Sequence, residues 1–117
     1  MKNTIIPCFW FDGKAQEAAE FYCALFPNSR ITSNSGLTVH FEINGQAIMG
    51  LNGGPMFKPT EAVSYMINCE NQEEIDHYWN GLTANGGEEG KCGWCKDPYG
   101  FSWQVIPADL GRWMSHP

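Results

Sequence analysis

Leu37-Thr38-Val39-His40-Phe41-Glu42-Ile43-Asn44-Gly45-Gln46-Ala47-Ile48-Met49-Gly50-Leu51-Asn52 decides the fold. Leu37, Val39, Phe41 and Ile43 alternate with Thr38, His40, Glu42 and Asn44, the period of a half-buried strand. Asn44-Gly45 is the dipeptide that tight hairpin turns favour, because both central residues must take positive φ. Gln46 to Asn52 is then the partner strand, and Gly53-Gly54-Pro55 ends it. Working back, Asn34-Ser35-Gly36 is a turn, and Arg30 to Ser33 reads as a short strand. Pro27-Asn28-Ser29 ends a helix over Lys14 to Phe26, where Ala15, Ala18, Ala19, Tyr22, Leu25 and Phe26 recur at helical spacing. Ahead of it, Ile5 to Phe11 is a continuous apolar run, read as a buried strand that Asp12-Gly13 breaks.

Working forward, the same order returns. Val63 to Cys69 reads as a strand. Asn71 with Glu74 makes a capping box for a helix carrying Ile75, Tyr78, Trp79 and Leu82, closed by Asn85-Gly86-Gly87. A short strand around Gly93 to Lys96 and the turn Asp97-Pro98-Tyr99-Gly100 lead into a last strand, Phe101 to Ile106. Phe21-Tyr22-x-x-Leu25 and Tyr78-Trp79-x-x-Leu82 hold matching places on the two helices. The expected fold is α+β: two βαβββ modules, residues 4–52 and 62–107, within a single domain of 1–117 that ends in a tail, 108–117.

The chain of 117 residues is 43% hydrophobic and 14% aromatic, which fits a folded domain rather than disorder. Thirteen acidic residues against seven basic ones give a net charge of −6 and no basic cluster. This argues against a phosphate-backbone binder, so no nucleic-acid partner is expected. No apolar run approaches a membrane span, and Met1-Lys2-Asn3-Thr4 opens no signal-peptide pattern, so the expected location is cytoplasmic, with no membrane partner. Five cysteines, Cys8, Cys23, Cys69, Cys92 and Cys95, read as reduced thiols rather than a disulfide framework.

Pro7-Cys8-Phe9-Trp10-Phe11-Asp12-Gly13, Ala18-Ala19-Glu20-Phe21-Tyr22, Phe26-Pro27-Asn28-Ser29-Arg30-Ile31, Leu51-Asn52-Gly53-Gly54-Pro55 and Cys92 through Gln104 together resemble the PhnB-like family of the vicinal oxygen chelate superfamily. That superfamily includes glyoxalase I, bleomycin-resistance proteins and extradiol dioxygenases. The resemblance spans roughly residues 4–107. It implies paired βαβββ modules whose sheets curve around a cavity, usually in a homodimer. Members often carry the label 3-demethylubiquinone 3-methyltransferase. A methyltransferase of the doubly wound type needs a G-x-G-x-x-G loop and a larger sheet, and this chain has neither. Compared with the family, the loop at Ser33-Asn34-Ser35-Gly36 is short and the chain stops at Pro117. Cys95 stands where an aliphatic residue is usual.

In metal-dependent relatives one divalent ion is held by His and Glu from the first and last strands of each module. Ile5 to Phe11, Gln46 to Leu51 and Ala62 to Cys69 contain no His, Asp or Glu. Phe101 to Pro107 offers only Gln104, where the resemblance would place the family's Glu. A neutral amide brings no charge to hold an ion. The expectation is therefore no metal and no cofactor.

The remaining constellations admit two readings each. Cys92-x-x-Cys95 has redox or zinc spacing, but a strand rather than a helix follows, which favours two partly buried structural thiols. His40 and Glu42 share one strand face and could act as an acid/base pair or simply as polar surface. His77 reads as a surface residue, and His116 lies in the tail. Lys96-Asp97 reads as a solvated turn with a local ion pair. Asn52-Gly53-Gly54-Pro55 could admit a ligand close to the backbone or be a tight strand exit. Trp103 and Gln104, adjacent on one strand, must face opposite sides. The leading expectation is metal-free binding of a small apolar or aromatic molecule in a homodimer cavity, with Phe9, His40, Asn52, Tyr65, Trp94 and Gln104 as ligand-binding candidates. The alternative is an enzyme acting on a small molecule, glyoxalase- or dioxygenase-like, with His40, Glu42 or Cys8 doing the chemistry in a metal-free form.

Overall fold

Asn44 and Gly45 take φ of 49° and 84°, so the hairpin turns through two left-handed residues as Asn-Gly demands. Around it, the computed structural model describes residues 5–108. The elements run β1 (Cys8–Phe11), α1 (Ala15–Leu25), β2 (Arg30–Asn34), β3 (Thr38–Ile43), β4 (Gln46–Asn52), β5 (Ser64–Cys69), α2 (Gln72–Thr83), β6 (Glu88–Glu89), β7 (Trp94–Lys96) and β8 (Ser102–Pro107). This is βαβββ twice. The chain divides into two units, the first ending at Lys58 and the second beginning at Pro59. Each is a four-stranded sheet with one helix, in the orders β1-β4-β3-β2 and β5-β8-β7-β6. In both, the first strand pairs parallel with the last, and the remaining neighbours are antiparallel.

In the first unit the alternation along β3 buries Val39, Phe41 and Ile43. The helix lays Ala15, Ala18, Ala19 and Tyr22 on that face. Tyr22 is fully buried. Its ring stacks on Phe41 with centroids 6.0 Å apart and meets Phe9 edge-on at 6.2 Å. The α1 N-terminus has no cap from its own N-cap residue, Lys14. Instead the Asn52 side-chain oxygen accepts from the Ala15 N–H at 2.9 Å, while its amide nitrogen donates to the Gly36 carbonyl at 2.9 Å. In the second unit the Asn71 cap forms as expected, while the reciprocal bond of Glu74 goes to the residue before the cap. Asn71 accepts from the Glu74 N–H at 2.9 Å, and the Glu74 carboxylate reaches back to the Glu70 N–H at 2.7 Å. Leu82, Cys69, Cys95, Trp103 and Val105 are buried there.

Several local expectations change. The first strand starts at Cys8, not Ile5: Ile5 and Ile6 are exposed at 85% and 48%. Hydrophobicity marked the run, but the ladder with β4 begins only at Cys8↔Met49. Leu37 lies ahead of β3 and is 61% exposed. The strand β6 adds two residues, Glu88 and Glu89, that carry no apolar period to mark a strand. The tail beyond Ala108, with His116, lies outside the described residues.

Lys96-Asp97 is a clear correction. It is not a solvated turn with its own ion pair. Asp97 is 1% exposed. Its Oδ1 accepts from the N–H of Tyr99 at 2.8 Å and of Phe101 at 3.1 Å, and its Oδ2 accepts from Trp103 Nε1 at 2.9 Å. Lys96 pairs instead with Glu61. An aspartate at the first position of a turn does accept such backbone bonds, and here the carboxylate turns inward to take a third donor.

Asn52-Gly53-Gly54-Pro55 is a packed strand exit. A Cβ on Gly53 would fall 2.3 Å from the Trp10 indole. The Trp10 Nε1–H donates to the Gly54 carbonyl at 2.8 Å.

Candidate functional site

Register decides which side chains share a face. In the first sheet Phe9 pairs with Gly50 and Phe11 with Asn52, and both phenylalanines are buried on the side of α1. The opposite, open face carries Cys8, Trp10, Met49, Leu51, Thr38, His40 and Glu42. Of the sequence-derived candidates, Phe9 and Asn52 therefore stand on the helix side. His40 stands on the open side and is exposed. Glu42 is held by Arg30, whose Nε lies 3.3 Å from Oε1. Cys8 and His40 are both register partners of Met49. Met49 thus stands between them, with their backbones roughly 9–10 Å apart, two strand spacings. The polar groups here do not converge.

In the second sheet Tyr65, Ile67 and Cys69 share a face with Trp103, Val105 and Cys95. Cys69 lies near Glu74 and Tyr78 of α2, so this is the helix side. Tyr65 packs on Trp103 there, centroids 5.4 Å apart, and burial raises its phenol above the usual value. The other face brings together Ser64, Met66, Ser102, Gln104, Trp94 and Lys96. Trp94 and Gln104, both candidates from the sequence, are direct cross-strand partners. Gln104 Nε2 donates to Ser64 Oγ at 2.9 Å.

At the β6–β7–β8 end of this face is a cavity of about 220 Å³ walled by Trp94, Lys96, Ser102, Glu61, Glu88 and Gly90. Its Lys96–Glu61 pair holds the ammonium above its usual value and the Glu61 carboxyl below it, each through the other's hydrogen bond and charge. Ser102 is only 2% exposed, and its hydroxyl has no hydrogen-bond partner among the described residues. A buried hydroxyl without a partner carries a desolvation cost, and a ligand in the cavity would relieve it. Ser102 was not singled out from the sequence, although it lies two residues from Gln104 and so had to share its face. No pattern in the sequence marks Glu61 as the partner of Lys96.

The model of the family described as 3-demethylubiquinone-9 3-methyltransferase matches residues 3–106. The chain belongs to this PhnB-like family. Among solved structures, a PhnB protein from Bacillus cereus described as a putative 3-demethylubiquinone-9 3-methyltransferase is 31% identical, with 90% of this chain and 99% of that one covered and a TM-score of 0.77. Protein PA1353 from Pseudomonas aeruginosa is 17% identical, over 88% of this chain and 96% of that one, with a TM-score of 0.66. A glyoxalase/bleomycin resistance protein from Albidiferax ferrireducens T118 is 12% identical, over 84% and 92%, with a TM-score of 0.63, and shares the fold. No curated protein matches the chain.

For this PhnB-like chain the superfamily's metal can be tested against the donors present. The four strands that would supply ligands read Cys-Phe-Trp-Phe, Gln-Ala-Ile-Met-Gly-Leu-Asn, Ser-Tyr-Met-Ile-Asn-Cys and Ser-Trp-Gln-Val-Ile-Pro. None holds an imidazole or a carboxylate on either face. Among the described residues, no three His, Cys, Asp or Glu side chains cluster where one ion could reach them. The residues do not fit a divalent metal site of the superfamily's kind. No described helix is long and apolar enough to cross a membrane.

The Cys92-x-x-Cys95 pair of this PhnB-like chain splits. Cys92 is exposed at a left-handed turn position, with φ of 57°, and Cys95 is buried on β7. They are thus not two partly buried thiols: the turn at Cys92-Gly93 ends before the strand begins. Burial first, and the Asp97 charge second, push the Cys95 thiol up to about 11. At mildly alkaline pH its thiolate fraction is about two orders of magnitude below that of an ordinary thiol. Iodoacetamide on the folded protein is expected to label Cys8 and Cys92 first and to leave Cys95 unmodified until the chain unfolds. Site-resolved mass spectrometry reads this directly, and rapid labelling of Cys95 would contradict it.

Proposed function

We propose that the protein binds a small aromatic or largely apolar molecule on the open face of its second sheet, without a divalent metal and as a homodimer in the cytoplasm. The observation that carries the reading is the buried, partnerless Ser102 hydroxyl on the wall of a cavity that Trp94 also lines. Pockets of this kind combine apolar walls with few polar groups that fix orientation. Trp94 supplies the aromatic wall, and Ser102 supplies the polar group. Gln104, beside Trp94, adds an amide whose nitrogen is already committed to Ser64.

Phe9, Asn52 and Tyr65 serve packing and helix capping in this reading. His40 stays outside it, on the first sheet. The family description names a methyl transfer. In this chain β1 reaches α1 through Asp12-Gly13-Lys14, a connection with one glycine, and β5 reaches α2 through Glu70-Asn71. Neither connection is a Gly-rich loop of the nucleotide-binding type. Five free cysteines suit a reducing compartment. Exposed Val63 and Met66, at 59% and 57%, offer apolar surface at the edge strand β5 for a second copy.

The test is a titration of the full chain with benzyl alcohol and with indole, followed by amide and indole resonances. Saturable shifts at Trp94, Ser102 and Gln104, lost in Trp94→Ala, are expected. Silence of those three signals toward both probes would overturn the reading. Elemental analysis showing one bound metal per chain would overturn its metal-free part, and a monomer in sedimentation equilibrium its dimer part.

A further inference from the structure

Charge around the cavity is lopsided. Among the described residues, Glu61, Glu88 and Glu89 line it together with one cation, Lys96. Lys96 is already paired with Glu61. Two further carboxylates, Glu88 and Glu89, belong to β6, whose register places Glu88 opposite Lys96, on the cavity face, and Glu89 opposite Cys95, on the other face. On the cavity face Glu88 is therefore the negative charge in excess of the Lys96–Glu61 pair. On the same wall, Trp94 is half-buried and Ser102 is buried.

An inorganic divalent ion does not fit, because the carboxylates do not cluster as three ligands around one point. An organic cation fits better. Its charge needs only the field of Glu88 beside the Lys96–Glu61 pair and does not need to be coordinated. Its aromatic ring can pack against Trp94, which supplies the apolar wall. A primary ammonium can also donate to the Ser102 oxygen, which has no donor among the described residues.

We infer that the ligand of this cavity is a small aromatic amine in its ammonium form, held between Trp94, Ser102 and Glu88. This rests on the reading that the cavity binds a small aromatic molecule, and adds the charge.

The experiment compares benzylamine with benzyl alcohol, two molecules of nearly one shape. Benzylamine is protonated at neutral pH, and benzyl alcohol is not. Both are titrated into the full-length protein and followed by calorimetry and by the Ser102 and Trp94 resonances. Benzylamine is expected to bind more tightly by about fivefold or more, and added salt should shrink that margin. The exposed pair Glu88→Gln/Glu89→Gln should abolish the margin. Ser102→Ala should weaken both probes.

Equal binding of the two probes would overturn the inference and leave aromatic binding standing. A margin that survives Glu88→Gln/Glu89→Gln would overturn it in the same way, since the charge would then be read elsewhere. Failure of both probes to move Ser102 or Trp94 would overturn the inference and the underlying reading together. The glutamines change only exposed side chains, so a loss of fold does not stand between the variant and the answer.

Discussion

Asp97→Ala is expected to cost about 3–5 kcal/mol of folding stability, the range for breaking a buried charged hydrogen-bond network. Three N–H donors lose their acceptor at once: the backbone of Tyr99 and Phe101, and the Trp103 indole. With 1% exposure at Asp97, water cannot take the place of the carboxylate without opening the turn. Asp97→Asn keeps an acceptor oxygen and is expected to lose less. The consequence reaches the site. Asp97 follows Lys96 at the end of β7 and ties the turn to Trp103, the neighbour of Ser102. Urea denaturation should show the stability loss, and the benzyl alcohol titration of Asp97→Asn should show weakened binding if the turn positions the cavity wall. A loss below about 1 kcal/mol in Asp97→Ala would mean the three bonds are replaced without cost.

The two βαβββ modules were legible because their signals are local. Alternation along β3, Asn-Gly at the hairpin and the Asn71–Glu74 box each act within a few residues. The open face of β8 was legible too, since parity alone separates Gln104 from Trp103. What stayed hidden depends on partners distant in sequence. Asn52 looked like a polar anchor for a ligand, yet its amide caps α1 across 37 positions of chain and also holds Gly36. Phe9 and Tyr65 stood among the ligand-binding candidates, and only the strand registers put them on the helix sides. Asp97 read as a surface turn residue because its third donor, the Trp103 indole, is found by folding and not by spacing. Ser102 shows no signal as a single residue. Its meaning comes from being buried without a partner beside a cavity.

Tyr22→Ala is the second large effect expected, about 3–5 kcal/mol, the usual cost of removing a large buried aromatic side chain. The sequence of α1 explains why one residue carries so much. Its other fully covered positions are Ala15, Ala18 and Ala19, which bring the helix close to the sheet but fill little volume. The approach is close enough that a Cβ on Gly50 would lie 3.1 Å from Ala15 Cβ and 3.3 Å from the Phe11 ring. Tyr22 alone among the buried α1 residues reaches across to Phe41 and Phe9. Truncation leaves a void between a backbone that cannot move closer and rings that have lost a stacking partner. The effect should appear in the first unit: hydrogen exchange should quicken along α1 and β1–β4, which pack against this ring. Exchange in α2 and β5–β8 provides the internal reference, because those elements have their own buried residues, Leu82, Cys69, Trp103 and Val105. Unchanged protection of α1 in Tyr22→Ala would show that the three alanines hold the helix by themselves and that the aromatic stack adds nothing to the core.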